Sequence, residues 1–120
     1  MQDHQQIWEI YTAAWKTETA SEKQALFEQS LALNCEYHDP LIRTKGYDEL
    51  ETYMLEFHLQ VPGGHFMTTH FYSHTNKSIT SWEMRNGEDV KIGDGMSYGE
   101  YNELGKLISM TGFYEVPPVE

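Results

Sequence analysis

The stretch NCEYHDPLIRTKG, residues 34–46, decides how the chain is read. With a period of two, Cys35, Tyr37 and Asp39 share one side of an extended segment, and Glu36 and His38 take the other. A cysteine and a tyrosine mark a face turned toward a core, and the third member of that face is a carboxylate. Pro40 then restricts Asp39 to extended backbone geometry, which keeps its side chain aimed along the same line. Two readings follow. Desolvation beside Tyr37 makes Asp39 a general base or a ligand-binding carboxylate, and its replacement by Asn then stabilises the fold at neutral pH. Alternatively Asp39 caps a turn before Pro40, a frequent role of Asp-Pro steps, and Asn then destabilises.

On the N-terminal side the chain reads helical. Asp3 and Gln6 form a capping pattern, after which Ile7, Tyr11, Ala14 and Trp15 recur at helical spacing. Ser21 and Gln24 suggest a second capping box, opening a helix with the stripe Leu26, Phe27, Leu31 and Leu33. A short strand, CEYH, follows. Gly46 then starts a third helix, whose positive end suits Asp48, Glu49 and Glu51 and whose buried face is Leu50, Tyr53, Met54, Phe57 and Val61. The triplet Pro62-Gly63-Gly64 ends it.

From His65 the period becomes alternating. HFMTTHFYSH (65–74), SITSWEMRN (78–86), DVKIGDGMSYGEY (89–101) and KLISMTGFYEV (106–116) are strand candidates, separated by hairpin turns at Thr75–Lys77, Asn86–Glu88 and Asn102–Gly105. Thr80, Trp82 and Met84 alternate with Ile79, and Leu107, Thr111 and Phe113 alternate with Ile108, Met110 and Tyr114. A sheet bulky on both sides needs cover on both sides. Three helices cover one; a second copy of the chain, as a homodimer through the sheet face, is expected to cover the other.

Composition bounds the rest. The 120 residues make one domain, 1–120, with 13% aromatic residues to fill a core. Eight Lys and Arg against 19 Asp and Glu give a formal net charge of −11, which argues against nucleic acid or an anionic membrane as partner. One cysteine permits no internal disulfide, and no leader or apolar span is evident, so a cytoplasmic location is expected.

Helix, helix, a short strand with an Asp-Pro step, a glycine-opened helix and a long sheet together resemble the nuclear transport factor 2-like superfamily. This is the cone-shaped fold of ketosteroid isomerase and the SnoaL-like polyketide cyclases. The segments YTAAWKTETASEKQALFEQSLALNCEYHDPL, GYDELETYM and GMSYGEYNELGKLISMTGFYE carry the likeness over essentially the whole chain. It implies an α+β fold in which three helices pack on a curved antiparallel sheet to form a cone, with a small-molecule pocket at its mouth. It also implies residue roles. Asp39 resembles the isomerase's general base, and Tyr11 its oxyanion-hole tyrosine. The third element departs: nine residues before Lys106 stands Ser97, where the isomerase has a protonated aspartic acid, so steroid isomerase activity in particular is in doubt. Asp94, three residues earlier, falls on the opposite face from Ser97.

Trp15, Tyr37, Tyr53, Phe57, Trp82, Met84 and Phe113 supply walls for an apolar pocket, and equally for a filled core. Tyr11 likewise fits a plain core position. His70 joins the pocket if its face turns inward with Phe66 and Thr68. No histidine spacing suits a metal, so neither a metal nor another cofactor is expected. Arg43 is a candidate clamp for a ligand carboxylate, with a surface role as its alternative. The functions in view are an isomerase, cyclase or dehydratase acting through Asp39, Tyr11 and Ser97 on a small apolar carbonyl compound, a non-catalytic binder of an apolar molecule, and a dimerisation module with a filled cone.

Overall fold

The first helix, α1 (His4–Ala14), starts where its cap was read. In the computed structural model, which describes residues 3–115, Asp3 Oδ1 accepts the Gln6 N–H at 2.8 Å and the Gln6 side chain accepts the Asp3 N–H at 3.0 Å. The second helix, α2 (Ala20–Ser30), is capped two residues earlier than expected, by Thr19, whose hydroxyl oxygen accepts the Glu22 N–H. That shift turns Lys23 inward. The side chain is fully buried, and its Nζ donates to the carbonyls of Ala14 and Thr17, both at 2.7 Å. An ammonium thus caps the exposed carbonyls that close α1, satisfying the helix end and its negative pole. Burial nevertheless lowers the Lys23 pKa to about 8.

Strand β1 (Leu31–His38) begins directly after α2 and is longer than the four residues expected. Leu31 and Leu33, read as a helical stripe, lie on it instead. Leu31 is buried opposite Leu107, and Leu33 is 81% exposed. The helical spacing was genuine, but pairing with a distant strand overrode it. The Tyr47 hydroxyl marks the switch by donating to the carbonyls of Phe27 and Leu31. Strand β2 (Arg43–Lys45) leads to Gly46, which has φ of +83° and caps α3 (Tyr47–Gln60). Then come β3 (His65–His74), β4 (Lys77–Arg85), β5 (Lys91–Tyr101) and β6 (Leu107–Phe113). The expected last strand ran on to Val116, which lies outside the described residues.

All six strands form one curved sheet in the order β2-β1-β6-β5-β4-β3. It is mixed, not purely antiparallel as expected: β1 runs parallel to β6, because α3 and three hairpins carry the chain round before β6 returns beside β1. Helices and inner sheet face enclose the core, where Phe27, Leu31, Leu50, Met54 and Leu107 are fully buried. Each such side chain contributes on the order of 1.5–3 kcal/mol by burial, so Leu107→Ala would cost about 2–5 kcal/mol. Among the described residues, no helix is long and apolar enough to cross a membrane.

Two β-bulges reset the alternation. In β3 the register with β4 slips between Thr68 and His70, so Phe66 and Phe71 both face inward and His70 faces out. In β6, Glu100 pairs with Ser109 but Tyr101 with Leu107, leaving Ile108 as the extra residue. Leu107 and Met110 are therefore both buried, whereas Phe113 faces out with 59% exposure. A one-residue slip moves every later side chain to the other face.

Cys35 is buried, as its face predicts, and burial pushes its thiol up to about 11. Burial also raises Tyr101 to about 12 and Tyr11 higher still. Such groups keep their protons longer in the folded chain than in the unfolded one, so they withdraw stability as pH rises past their unfolded values of 9.0 and 10.0. Lys23 acts in the opposite sense between about 8 and its unfolded 10.5, where only the unfolded chain carries the extra proton. Guanidinium midpoints are therefore expected to change little up to about pH 10 and to fall steeply above it, and Lys23→Met should bring the decline to lower pH.

Candidate functional site: an aromatic cavity around Asp39

Strand β5 makes the space. Its inward positions are Gly93, Gly95, Ser97 and Gly99, opposite Met84, Trp82, Thr80 and Ser78 of β4. Without side chains there, the large residues of neighbouring elements fold over the strand. A Cβ on Gly95 would lie 2.6 Å from the Trp82 ring, and one on Gly99 would lie 3.2 Å from Trp8. Between this bare strand and the helices is a cavity of about 390 Å³. From the helical side it is lined by Tyr11, Trp15, Tyr53 and Phe57; from the sheet by Tyr37, Asp39, Trp82, Met84 and Ser97. Every pocket residue expected from the sequence is therefore on its wall except His70 and Phe113, which the bulges carry to the outer face. Tyr114, next to Phe113, lines the cavity in its place.

Asp39 sits just after β1 with each oxygen doubly occupied. Oδ1 accepts the backbone N–H groups of Leu41 at 2.8 Å and Ile42 at 3.0 Å. Oδ2 accepts the hydroxyls of Tyr37 at 2.7 Å and Tyr53 at 2.8 Å. The first pair is the turn cap, and the second points into the cavity, so each oxygen carries one of the two readings of the Asp-Pro step. A carboxylate offers about four lone-pair sites, and here all four are filled. Burial raises the pKa of Tyr37, Tyr53 and Tyr114, and the Asp39 carboxylate raises each of them further.

Two hydroxyls on the wall are held differently. Trp15 Nε1 donates to the Tyr11 hydroxyl at 3.1 Å, and Trp82 Nε1 donates to Ser97 Oγ at 2.9 Å. Each oxygen thus receives an indole N–H, while its own proton has no acceptor among the described residues. The Nε1 of buried Trp8 is also without an acceptor there. Gly112 separates Asp39 from Ser97: a Cβ on it would lie 3.7 Å from Asp39 Cβ and 3.8 Å from Ser97 Oγ. Each hydroxyl can donate to an acceptor oxygen in the cavity, polarised by donation from behind.

Rings complete the walls. Trp15 meets Tyr53, Phe57 and Phe66 edge to face, with centroids 5.3–6.0 Å apart, and Trp82 meets Phe66 and Tyr114 likewise. The sequence reading did not single out Phe66 as a wall residue, nor Glu56 at the rim, nor the glycines. Their signal was in the string GDGMSYG, residues 93–99, where every second position is glycine or serine and one strand face is therefore bare.

Asp94 pairs with Glu83 on the outer side, where Lys91 reaches it at 3.1 Å, as its separation from Ser97 requires. Arg43 is exposed on β2 and lines no part of the cavity. His38 faces outward, but its Nε2 is shielded from solvent and without a partner among the described residues. No cluster of three or more metal-ligating side chains occurs among the described residues. A wider open groove of about 820 Å³ runs along edge strand β3, where His70 lies.

No family model and no curated protein matches this sequence. Solved structures do. A SnoaL-like family protein from Agrobacterium tumefaciens, provisionally described as an isomerase, is 25% identical with a TM-score of 0.86, covering 97% of this chain and all of that one. A protein from Sinorhizobium meliloti, provisionally described as a polyketide cyclase, is 8% identical with a TM-score of 0.71 over 89% of this chain and 93% of its own. A de novo designed protein with a curved β-sheet has a TM-score of 0.71 at 10% identity, over 93% of this chain and 84% of its own. The chain thus has the α+β cone fold of the SnoaL-like and nuclear transport factor 2-like proteins to which it is similar.

Because Asp39 occupies four donors, Asp39→Asn leaves an amide NH₂ facing either two backbone N–H groups or two phenols. The variant is expected to lose about 2 kcal/mol in denaturant unfolding at neutral pH, the reverse of the stabilisation expected for an unpartnered buried carboxylate. Tyr53→Phe should cost less, about 1 kcal/mol, since it removes one donor and leaves three.

Proposed function

We propose that the cone binds a small, largely apolar carbonyl compound whose oxygen is held by the hydroxyls of Tyr11 and Ser97. The observation that carries this reading is the pair of indole-backed hydroxyls, each with a free proton, on the wall of an aromatic cavity. A buried donor without an acceptor is costly, and a ligand oxygen removes that cost. Binding of acetophenone, followed by quenching of Trp15 and Trp82 fluorescence, tests it. Tyr11→Phe and Ser97→Ala are each expected to weaken binding about fivefold, and unchanged affinity in both would sink the reading.

A catalytic version of the same site has Asp39 as general base, in an isomerase, cyclase or dehydratase type of reaction. It is favoured by Oδ2 facing the cavity beside the two donors, an arrangement suited to removing a proton next to a polarised carbonyl. A substrate would first have to displace one phenol. Tyr53 is suited to leave, because the Tyr114 hydroxyl lies beside it as an alternative partner. Exchange of the acetophenone methyl protons for deuterium separates catalysis from binding. Catalysis predicts exchange that Asp39→Asn abolishes; a simple binder gives none above the buffer rate.

We further propose that the chain forms a homodimer through the outer sheet face. Tyr72, Ile79, Met96 and Phe113 form exposed apolar neighbours across β3 to β6, a patch more typical of an interface than of a solvated sheet. Sedimentation at micromolar concentration should give twice the 14.0 kDa chain mass, and Phe113→Lys should shift it toward one chain. A cytoplasmic location belongs to the same proposal, resting on the free, buried Cys35.

A further inference from the structure

From the charges and rings around the cavity, we infer that its ligand is an organic cation: a carbonyl compound that also bears a protonated or quaternary amine. The inference rests on the binding reading above and adds the ligand's charge. Three observations carry it. First, no Lys, Arg or His is among the described residues lining the cavity, whereas Asp39, Glu56 and Glu115 are. Asp94, on the outer face, is paired with Lys91, but Glu56 and Glu115, at the exposed rim, are in no ion pair among the described residues.

Second, the rings meet at right angles. Trp15 stands at 85° to Tyr53 and 86° to Phe57, and Trp82 stands at 83° to Phe66 and 66° to Tyr114. Perpendicular neighbours turn corners, so the walls present π faces from more than one direction. That is the geometry in which a cation is held by several ring quadrupoles at once. A purely apolar ligand would be served as well by aliphatic walls; among the described residues only Leu41, Val61, Ile92 and Met84 contribute aliphatic side chains. Third, the chain carries a net charge of −11, a field that draws cations toward an acidic mouth and repels anions.

These features divide the cavity by chemistry. The free protons of Tyr11 and Ser97 suit an acceptor oxygen, and the rings and rim carboxylates suit a positive charge. Among the described residues a ligand carboxylate has no cationic partner on the wall, since Arg43 lies elsewhere.

The test uses an isosteric pair, phenyltrimethylammonium and tert-butylbenzene, with benzoate and acetophenone as further probes, titrated against the intact protein by tryptophan fluorescence. The cation is expected to bind at least tenfold more tightly than its neutral isostere, and benzoate not to bind. Glu56→Gln, an exposed helix position that leaves the fold intact, should weaken the cation about threefold without changing acetophenone affinity. If acetophenone binds and tert-butylbenzene matches or exceeds the cation, the inference of a cationic ligand is overturned while the binding reading stands. If neither acetophenone nor the cation binds, both fall together.

Discussion

The four hydrogen bonds to Asp39 tie together three parts of the molecule: the turn after β1, strand β1 itself and helix α3. Oδ1 fixes the turn between β1 and β2, and Oδ2 joins β1 to α3 through Tyr37 and Tyr53. The carboxylate is thereby suspended between a backbone loop and a helix, facing a cavity that neither element would enclose alone. Charge-assisted bonds of this kind are stronger than neutral ones, and a network in which every member is satisfied rigidifies its surroundings. The same saturation limits what Asp39 can do. Whatever approaches it must displace a phenol.

The cavity itself comes from an omission. Strand β5 has almost no inward side chains, so the indole of Trp82 lies against Gly95 and that of Trp8 approaches Gly99. Strand glycines weaken a sheet, and a strand with three of them on one face must be held by its neighbours. Here β4 pairs with it from Lys91 to Glu100, and β6 pairs with it from Met96 to Tyr101. The space left inside is closed by rings that also donate: Trp82 to Ser97, and Trp15 to Tyr11. One set of residues therefore shapes the walls and polarises the hydroxyls. The fold alone does not decide this chemistry, since a designed curved-sheet protein shares it.

Much of the architecture was legible along the chain. The cap at Asp3, the start of α3 at Gly46, the stop at Pro62 to Gly64 and the hairpin turns are set by local backbone chemistry, which acts over three or four residues. Asn86 and Asn102 show it plainly, each accepting two backbone N–H groups within its own turn. The inward face of Cys35, Tyr37 and Asp39 followed from alternation alone. Where long-range pairing competes with a local pattern the reading slipped, as at Leu33, whose helical spacing gave way to strand β1.

By itself, then, the sequence determined the order of helices and strands, the turns, the acidic charge and the aromatic stock from which walls are made, because each depends on composition or on near neighbours. Only the tertiary structure decided which side of a strand faces the cavity beyond a bulge, and so exchanged Phe113 for Tyr114 and turned His70 outward. Only it joined β1 to β6 in parallel, buried Lys23 against the end of α1, and gave the two oxygens of Asp39 separate partners. Each of those outcomes rests on groups far apart in the chain meeting at hydrogen-bond or van der Waals distance, and period and propensity carry no information about such meetings.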